Sequence, residues 1–397
     1  MITLADTPAD AVFRRELRTW LEANLPDGWL AGRRDVPHEE KARYEFFKDW
    51  QRTLYRGGWL APEWPRQHGG RGASSREQMI YTEELARVDA PRILDNVGLG
   101  IVGPSLIGVG TEEQKRQFLP GILSAEAMWS LGFSEPNAGS DLASLRCKAE
   151  RDGDEWVISG QKVWSSRAHL AKWCLLLVRT DAQAKHKGLT CLLVPLPAPG
   201  LTIVPTRQLT GESEFCELFF DACRVPADHV LGPVNGGWPV IQTALGHERG
   251  TLWATEFKIR LEKGARSVAA MYNRLRRGGV VDAAQLERLR PRVAQAWIEA
   301  TAFAAQTLRS LPKLEHATTP PPEAALQKLF GSEIEQRIED LSLDLQGPYA
   351  QLYRDVRQLD PTDWQERYLY GRSVTISSGT SEIMRNLLAQ RGLGLPR

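Results

Sequence analysis

One carboxylate interrupts an apolar helical pattern and could act as a general base. Glu248 lies in a helix predicted over Trp238–Arg260. Helical spacing places it on the same face as three apolar residues, Ile241, Leu245 and Leu252. Burial on such a face raises the pKa of a carboxyl group and makes its carboxylate a better base near neutral pH. The alternative is a glutamate that pairs with a distant arginine or lies at the exposed edge of the apolar stripe.

Two segments in the middle of the chain could bind a flat ring. Leu131–Asp141 is rich in hydroxyl groups, small residues and backbone N–H groups. Such a loop can hydrogen-bond the edge of a heteroaromatic ring or a phosphate, or it can be a plain connection capped by Ser140 or Asp141. Trp164 could pack against a planar ligand, with Ser166 near the polar edge of that ligand, or it could be buried in the core of a sheet.

Two other segments have simple structural explanations. Ser377–Ile383 precedes the last predicted helix, where Thr380 or Ser381 can cap the helix and the free N–H groups can bind an anion. Capping alone is a sufficient explanation for these residue types. Gly98–Gly103 matches G-x-G-x-x-G, but its surroundings are helical, whereas a dinucleotide site needs a preceding strand. Close helix packing therefore explains these glycines better.

Hydrophobic periodicity predicts three parts that must position these segments. Residues 1–125 show helical spacing, residues 126–233 show short β-type runs separated by Gly, Pro and Asp, and residues 234–397 are helical again. The short, closely spaced strands predict an antiparallel sandwich or barrel rather than alternating β–α units. We therefore predict an α+β chain with an N-terminal helical domain, a central β domain and a C-terminal helical domain at these boundaries.

The composition argues against several classes of protein. The 50 Lys and Arg balance 49 Asp and Glu, so the chain has no global charge footprint for nucleic acid or for an acidic membrane surface. None of the five cysteines is spaced C-x2-C, which argues against a zinc site or a disulfide framework. No apolar run approaches the roughly 20 residues that span a bilayer, and the N-terminus does not resemble a signal peptide. We expect a cytoplasmic protein without a metal, without nucleic acid and without membrane insertion.

In order along the chain, a series of short motifs resembles the acyl-CoA dehydrogenase family over nearly the whole length. The motifs are Gly110–Lys115, Phe133–Leu142, Gly160–Trp164, Val178–Asp181, Phe219–Asp221, Arg224–Pro226, Gly236–Trp238, Glu248–Gly250, Gly379–Ile383 and Leu393–Arg397. The resemblance implies a helical domain, a β domain and a C-terminal four-helix bundle, which usually assemble as a tetramer. It also implies a tightly bound FAD.

The resemblance also implies which residues contact the FAD. Leu131, Phe133 and Ser134 are implied to face the isoalloxazine ring, and Trp164 and Ser166 are implied to contact its other side. Thr380 and Glu382 are implied to lie near the diphosphate or adenosine end, and Ser140 near the neighbouring CoA phosphates.

The reaction that the resemblance implies is α,β-dehydrogenation of an acyl-CoA thioester. A base removes the α-proton while a hydride leaves Cβ for flavin N5. The commonest base in the family is a Glu immediately before Gly-Thr, but Ser378 stands there in this chain and keeps only its backbone N–H for the thioester carbonyl. Some members carry the base on the helix that matches Glu248, so we expect Glu248 to be the base. Ser140, Arg249 and Gly379 are implied to bind the substrate.

Other departures from the family pattern leave alternatives open. Arg274–Gly279 and Gln346–Tyr349 are incomplete forms of two FAD-binding segments, and such gaps occur in members built from two different subunits. The chain could instead be a non-catalytic partner subunit of a heteromeric acyl-CoA dehydrogenase, or a flavoprotein acting on a carrier-protein thioester. The resemblance implies an electron-transfer flavoprotein as acceptor and a homotetramer or a heterotetramer with a paralogue. The chain looks most like bacterial members that act on long, branched or polycyclic acyl-CoAs.

Overall fold

Helices form both ends of the chain and strands form its middle. The computed structural model describes residues 5–247, 250–279, 281–315, 321–353 and 362–396. The first helices are α1 Pro8–Asn24, α2 Glu40–Arg56, α3 Ser75–Arg87, α4 Gly103–Val109 and α5 Glu112–Leu123. The strands are β1 Trp129–Gly132, β2 Lys148–Asp152, β3 Glu155–Ser166, β4 Trp173–Arg179, β5 Leu189–Pro195, β6 Leu201–Thr206, β7 Phe215–Pro226 and β8 Val230–Leu231. The helices after them are α6 Gly237–His247, α7 Thr251–Gly278, α8 Ala283–Glu315, α9 Pro322–Gln346, α10 Trp364–Gly371 and α11 Ser381–Leu387. This order confirms the predicted succession of helical, β and helical parts.

Local sequence explains where several of these helices begin. The Ser74 hydroxyl accepts from the backbone N–H of Glu77, whose side chain accepts from the backbone N–H of Ser74. Thr111 and Gln114 form the same reciprocal capping box at the start of α5. Each box satisfies two N–H groups that have no partner within the helix. The start of such a helix can therefore be located from the sequence.

The strands form one mixed sheet, in which most neighbours are antiparallel. Its order is β6–β7–β3–β2–β4–β5–β8, with β1 paired to β4 beside β2. The pairing of β1 with β4 is parallel, and so is the single residue pair Lys148–Arg179 that joins β2 to β4. The predicted antiparallel domain is thus correct for its hairpins and differs at β1. Parallel neighbours need a crossover connection, which the alternation of apolar residues does not reveal.

The two ends of the sheet share one apolar core. Buried side chains from β3 and β7, such as Ile158 and Leu218, belong to the same cluster as Cys174, Leu176 and Leu192 from β4 and β5. Such a core holds the strands in a fixed register, because a shift by one residue would exchange the buried and exposed faces.

Strand β3 merges two runs that the sequence separates, Trp156–Ser159 and Lys162–Ser165. Its register with β7 shifts between Ile158 and Gly160 and again between Lys162 and Ser165. Gly160 has a φ of 144° and Trp164 a φ of 61°. A bulge adds a residue to one strand and changes the direction in which a side chain points. The second bulge therefore decides where Trp164 lies.

The Gly98–Gly103 segment is helical, as the packing explanation requires. Gly98–Val102 forms a π-helical segment that leads into α4. A Cβ on Gly103 would lie 2.0 Å from Cζ2 of Trp64, whose Nε1 donates to the carbonyl of Leu99 at 3.0 Å. The absence of a side chain at Gly103 therefore allows the Trp64 ring to lie against this helix.

The chain divides into two compact units, residues 12–248 and residues 249–397 together with the first eleven. The second unit packs the long helices α7, α8 and α9 around a core that includes Val268, Phe303 and Ile338. Trp364 of the short helix α10 is buried in the same core.

Two helices that the periodicity predicts as continuous are interrupted. The predicted helix Trp238–Arg260 is wrong as one element, because α6 ends at His247 and Gly250 is the extended N-cap of α7, with a ψ of −168°. The predicted helix at 363–391 divides into α10 and α11, with turns between them. A side chain before the Gly250 break cannot be assigned to the same face as Leu252, because the helical phase is not continuous through an extended residue.

Candidate functional site

The ring-binding candidates of the first unit converge where β1 and β3 end. Ser130 on β1 donates its hydroxyl hydrogen bond to the carbonyl of Ser166 at the end of β3, with a distance of 2.8 Å. The backbone N–H of Val163 donates to the carbonyl of Ser134 at 2.9 Å. These contacts join the loop after β1 to the strand that carries Trp164. The structure therefore brings the loop residues, Trp164 and Ser166 together.

The loop after β1 presents its side chains at different depths. Phe133 is buried, whereas Leu131 and Ser134 are partly exposed. A tight turn follows, in which the backbone groups of Glu135 and Ala138 bond to each other. Ser140 comes after this turn and is exposed. Leu131 and Ser134 are thus accessible to a ligand at the end of β1, and Ser140 is accessible farther along the loop.

Trp164 lies on the surface rather than in the core of the sheet. Its side chain is 62% exposed, which excludes the alternative that it fills the apolar core. Its ring meets that of Phe215 in a T-shaped arrangement, with the centroids 6.0 Å apart and an interplanar angle of 84°. The neighbouring Ser165 is buried, and its Oγ has no hydrogen-bond partner within the described residues. An exposed indole face beside hydroxyl groups is suited to pack against a planar, polar ring.

A buried ion pair holds the loop after β1, and the sequence analysis missed it. Nζ of Lys162 lies 2.8 Å from Oε1 of Glu135 and donates to the carbonyl of Phe133 at 3.0 Å. The Glu135 carboxylate also accepts from the backbone N–H groups of Arg146 and Cys147, at 2.7 and 2.8 Å. A signal was present in the sequence, because Lys162 has the same parity along β3 as the inward-facing Trp156 and Ile158.

A second buried acid connects the helical part to β1 and was also missed. Oδ1 of Asp95 accepts from the backbone N–H of Gly98 at 2.7 Å, and Oδ2 accepts from that of Trp129 at 3.3 Å. Burial raises the pKa of Asp95 to about 7, although these two N–H groups and Arg167 act in the opposite direction. Asp95 therefore joins the π-helical segment to the strand that leads into the ring-binding loop.

The predicted residues of the second unit form a loop before α11. Ser378 and Gly379 both have left-handed backbone conformations, with φ values of 54° and 95°. Thr380 is the N-cap of α11, and its hydroxyl accepts from the backbone N–H of Ile383 at 3.3 Å. The backbone N–H of Ser381 donates to the carbonyl of Thr375 and closes the loop. The capping role predicted for Thr380 is present.

A cavity lies beside this loop, within the second unit. It has a volume of about 450 Å³, and the residues around it include Thr380, Ser381, Glu382, Arg385, Glu333 and Arg337. Oγ of Ser381 is buried and has no hydrogen-bond partner among the described residues. Hydrogen bonds from the backbone N–H of Glu382 itself and from the Thr380 hydroxyl lower the pKa of the Glu382 carboxyl. The cavity therefore presents both acceptor and cationic groups to a polar ligand.

A buried glutamate lies beside an arginine in the second unit. The side chain of Glu339 is 2% exposed and lies 3.6 Å from Arg372, measured between Oε2 and Nη2. Burial, together with the nearby Glu335, raises the pKa of Glu339 to about 8. A Cβ on Gly371 would lie 1.7 Å from Oε2 of Glu339. The glycine allows the helices to approach here, and the sequence pattern gave no signal of this acid.

Glu248 and Arg249 lie outside the described residues. The sequence places them between α6, which ends at His247, and the N-cap of α7, Gly250. The roles assigned to Glu248 and Arg249 therefore stay predictions. Among the described residues, no group of three or more His, Cys, Asp or Glu could hold a metal ion. No helix of the described part is long and apolar enough to cross a membrane.

Family models match the chain almost from end to end. Models of the N-terminal, middle and C-terminal domains of acyl-CoA dehydrogenases match residues 7–126, 130–223 and 235–393. The chain is 38% identical over 390 residues to "Acyl-CoA dehydrogenase IpdE1" of Mycobacterium tuberculosis, with 97% of each chain covered. It is 32% identical to "Acyl-CoA dehydrogenase FadE26" of the same organism, with 98% of each covered.

Solved structures give the same result at the level of the fold. The "Tcur3481-Tcur3483 steroid ACAD" is 32% identical and superposes with a TM-score of 0.83, with 100% of both chains covered. The ChsE4-ChsE5 complex from Mycobacterium tuberculosis is 28% identical, with a TM-score of 0.80 and 100% of both chains covered. Each of these two structures is named for a pair of components.

Proposed function

The chain belongs to the acyl-CoA dehydrogenase family and is therefore an FAD-dependent oxidoreductase, and we propose that it oxidises an acyl-CoA thioester to the 2-enoyl-CoA. The observation that carries the proposal is the convergence of Ser134, Trp164 and Ser166 at one end of β1 and β3. These residues supply an exposed aromatic face and polar groups, and the resemblance assigns the flavin ring to them.

Each unit, taken by itself, contains residues suited to one part of an FAD. In the first unit, Leu131, Phe133, Ser134, Trp164 and Ser166 would hold the isoalloxazine ring, and Ser165 adds a buried hydroxyl without a partner in the described chain. In the second unit, Thr380 and Glu382, which the resemblance assigns to the diphosphate or adenosine end, border the cavity of about 450 Å³. Bound FAD supplies the acceptor for the hydride that leaves Cβ of the substrate.

We propose that Glu248 removes the α-proton and that the backbone N–H of Ser378 polarises the thioester carbonyl. A serine cannot act as the base at the position before Gly379, so the base must lie elsewhere in the site. Glu248 is the carboxylate at the alternative position used within the family. A preorganised N–H that meets the developing enolate oxygen typically contributes about 3 kcal/mol to the transition state.

The assignment is tested by the rate of flavin reduction under anaerobic conditions. Purified protein is mixed with a panel of acyl-CoAs while the visible absorbance of the oxidised flavin is followed. Glu248→Gln should slow reduction by about 10²–10⁴-fold, because it removes a general base, and should leave FAD bound. Glu248→Gln with Ser378→Glu restores a carboxylate at the common family position and should recover part of the rate.

Two outcomes would contradict these assignments separately. If no thioester reduces the flavin of FAD-loaded protein, the proposed dehydrogenation is wrong. If the thioester reduces the flavin at the wild-type rate in Glu248→Gln, only the choice of base is wrong.

We propose a polycyclic, steroid-derived acyl-CoA as the substrate class, with Ser140, Arg249 and Gly379 on the CoA side. The support is the similarity to the Tcur3481-Tcur3483 steroid ACAD, with all of both chains covered. The panel therefore compares a polycyclic acyl-CoA with a straight-chain one, and faster flavin reduction by the straight-chain thioester would refute this substrate class.

We propose an electron-transfer flavoprotein as the electron acceptor. A carrier-protein substrate is tested in the same panel with a carrier protein that bears the acyl group as a thioester on its phosphopantetheine arm.

A heteromeric assembly is the second candidate, because Ser378 and Arg274–Gly279 both depart from the family pattern. Arg274–Gly278 forms the end of α7, and Gly279 ends this helix in a left-handed conformation. In one form of this candidate, the chain is a non-catalytic partner subunit of a heterotetramer. The test is co-expression with a paralogue, followed by native mass spectrometry and measurement of FAD per chain. A homotetramer that carries one FAD per chain and is fully active would contradict heteromeric assembly.

A further inference from the structure

The Lys162–Glu135 ion pair is buried beneath the ring-binding loop. The side chain of Lys162 is 0% exposed and that of Glu135 is 9% exposed. Removing two charges from water costs several kcal/mol per ion, and a pair of apolar side chains of the same size often stabilises a fold as well or better. The pair is therefore poorly explained by stability alone, and its contacts indicate what else it does.

The contacts of Lys162 fix the orientation of one peptide group. Its Nζ donates to the carbonyl oxygen of Phe133 at 3.0 Å, from inside the sheet. In a trans peptide the C=O and the following N–H point in opposite directions. The N–H of Ser134 therefore points away from the buried ammonium group. The carbonyl of Ser134 is held in turn by the backbone N–H of Val163 at 2.9 Å.

Glu135 extends this restraint to the rest of the loop. Its carboxylate accepts from Lys162 and from the backbone N–H groups of Arg146 and Cys147, which lie just before β2. The loop after β1 is thus attached to β3 and to the entry of β2 through one carboxylate. A buried network in which every group is paired restricts the loop to a single conformation.

We propose that Lys162 is a positioning residue for the flavin-binding loop, which it orients so that the N–H and hydroxyl of Ser134 face the isoalloxazine ring. This inference rests on the proposed location of the ring at the end of β1 and β3. Lys162 acts through the peptide group of Phe133 and through Glu135.

A second ion pair in the same sheet offers a matched control. Lys148 and Glu150 of β2 lie 2.9 Å apart, but their side chains are 54% and 68% exposed. An exposed pair contributes little to stability. Lys148→Met therefore makes the same chemical change as Lys162→Met at a position where the flavin should not respond.

The test compares flavin binding in wild type, Lys162→Met, Glu135→Gln and Lys148→Met. FAD affinity is measured by fluorescence on reconstitution, and the fine structure of the visible flavin band is recorded for each holoprotein. Lys162→Met should weaken FAD binding by about tenfold or more, equivalent to about 1.4 kcal/mol, and should give a band like that of flavin free in water. Lys148→Met should remain within about twofold of wild type, as expected for an exposed pair.

Hydrogen exchange of the apoprotein gives a readout that does not involve FAD. The backbone amides of residues 133–135, 137 and 138 should exchange faster in Lys162→Met than in wild type, because the loop loses its restraint. Wild-type affinity, band shape and amide protection in Lys162→Met would overturn the proposal. If circular dichroism shows that Lys162→Met does not fold, Glu135→Gln decides, because it keeps the volume and one oxygen acceptor. Wild-type behaviour of Glu135→Gln would then overturn the proposal.

The outcomes separate this proposal from the proposed function. If the wild-type flavin is not reduced by any acyl-CoA, the proposed dehydrogenation is wrong. If acyl-CoA reduces the wild-type flavin but the flavin spectrum does not respond to Lys162→Met, only the positioning role is wrong.

Discussion

Asp95 should make the stability of the first unit fall as the pH rises from weakly acidic to weakly basic. Its side chain is 2% exposed, and its carboxylate accepts from the backbone N–H groups of Gly98 and Trp129. Burial raises its pKa from 3.8 to about 7. Between these two values the folded chain binds a proton that the unfolded chain has released, so the free energy of unfolding decreases with rising pH.

The magnitude follows from the two pKa values. Between pH 5 and pH 8, the linkage relation gives a loss of about 2.5 kcal/mol from Asp95 alone. For a unit of this size such a loss lowers Tm by roughly 5–10 °C. Above the folded pKa both states are ionised, and the contribution becomes constant. The stability supplied by the protonated carboxyl is thus fully present below the unfolded pKa and is lost as the pH rises through the folded pKa.

The assay is the Tm of wild type and Asp95→Asn at pH 5, 6, 7 and 8. Asp95→Asn cannot titrate, so its Tm should fall less than that of wild type over this range. In Asp95→Asn the side-chain amide would place an N–H group against a backbone N–H whose hydrogen bond the Asp95 carboxylate accepts in wild type. This mismatch lowers the free energy of unfolding by about 1–3 kcal/mol at every pH. The slope, rather than the absolute Tm, is therefore compared.

Asp154 supplies the matched control because its side chain is fully exposed, at 108% relative accessibility. Asp154→Asn should follow the wild-type slope. Parallel curves for wild type and Asp95→Asn would refute the reasoning, since they would show that the Asp95 carboxyl does not change its proton affinity on folding.

Two further predictions concern packing and thiol reactivity. Gly103→Ala should destabilise the protein by about 1–3 kcal/mol through overpacking, because its Cβ would lie 2.0 Å from Cζ2 of Trp64. In the same helix a Cβ on Gly108 would meet nothing within 4 Å, so Gly108→Ala should stabilise the protein by about 0.5–1 kcal/mol. Urea unfolding measures both changes, and a change of the same sign in the free energy of unfolding of both variants would contradict this contrast. All five cysteines are buried, and burial raises the pKa values of Cys147 and Cys223 to about 11. A thiol reagent at pH 8 should therefore react only after unfolding, and rapid labelling of the native protein would be inconsistent with this burial.

Local patterns predicted much of the fold because they depend on near neighbours in the chain. The positions of the β runs at Trp173–Arg179 and Leu189–Val194 follow from apolar periodicity and agree with β4 and β5. Capping chemistry predicted that Thr380 or Ser381 starts the last helix, and the structure has Thr380 as its N-cap. Periodicity failed at Gly250, because its extended conformation breaks the helical phase without changing the apolar pattern around it.

The sequence by itself determined the order of helical and β parts, the family, and the residue types available for flavin and thioester chemistry. Only the tertiary structure decided how those residues are presented. It turned Trp164 outward at a bulge, buried Lys162 beneath the ring-binding loop, and placed Asp95 between a π-helical segment and β1. The physical reason is that strand register and desolvation depend on residues far apart in the chain, whereas propensity and periodicity depend on adjacent ones.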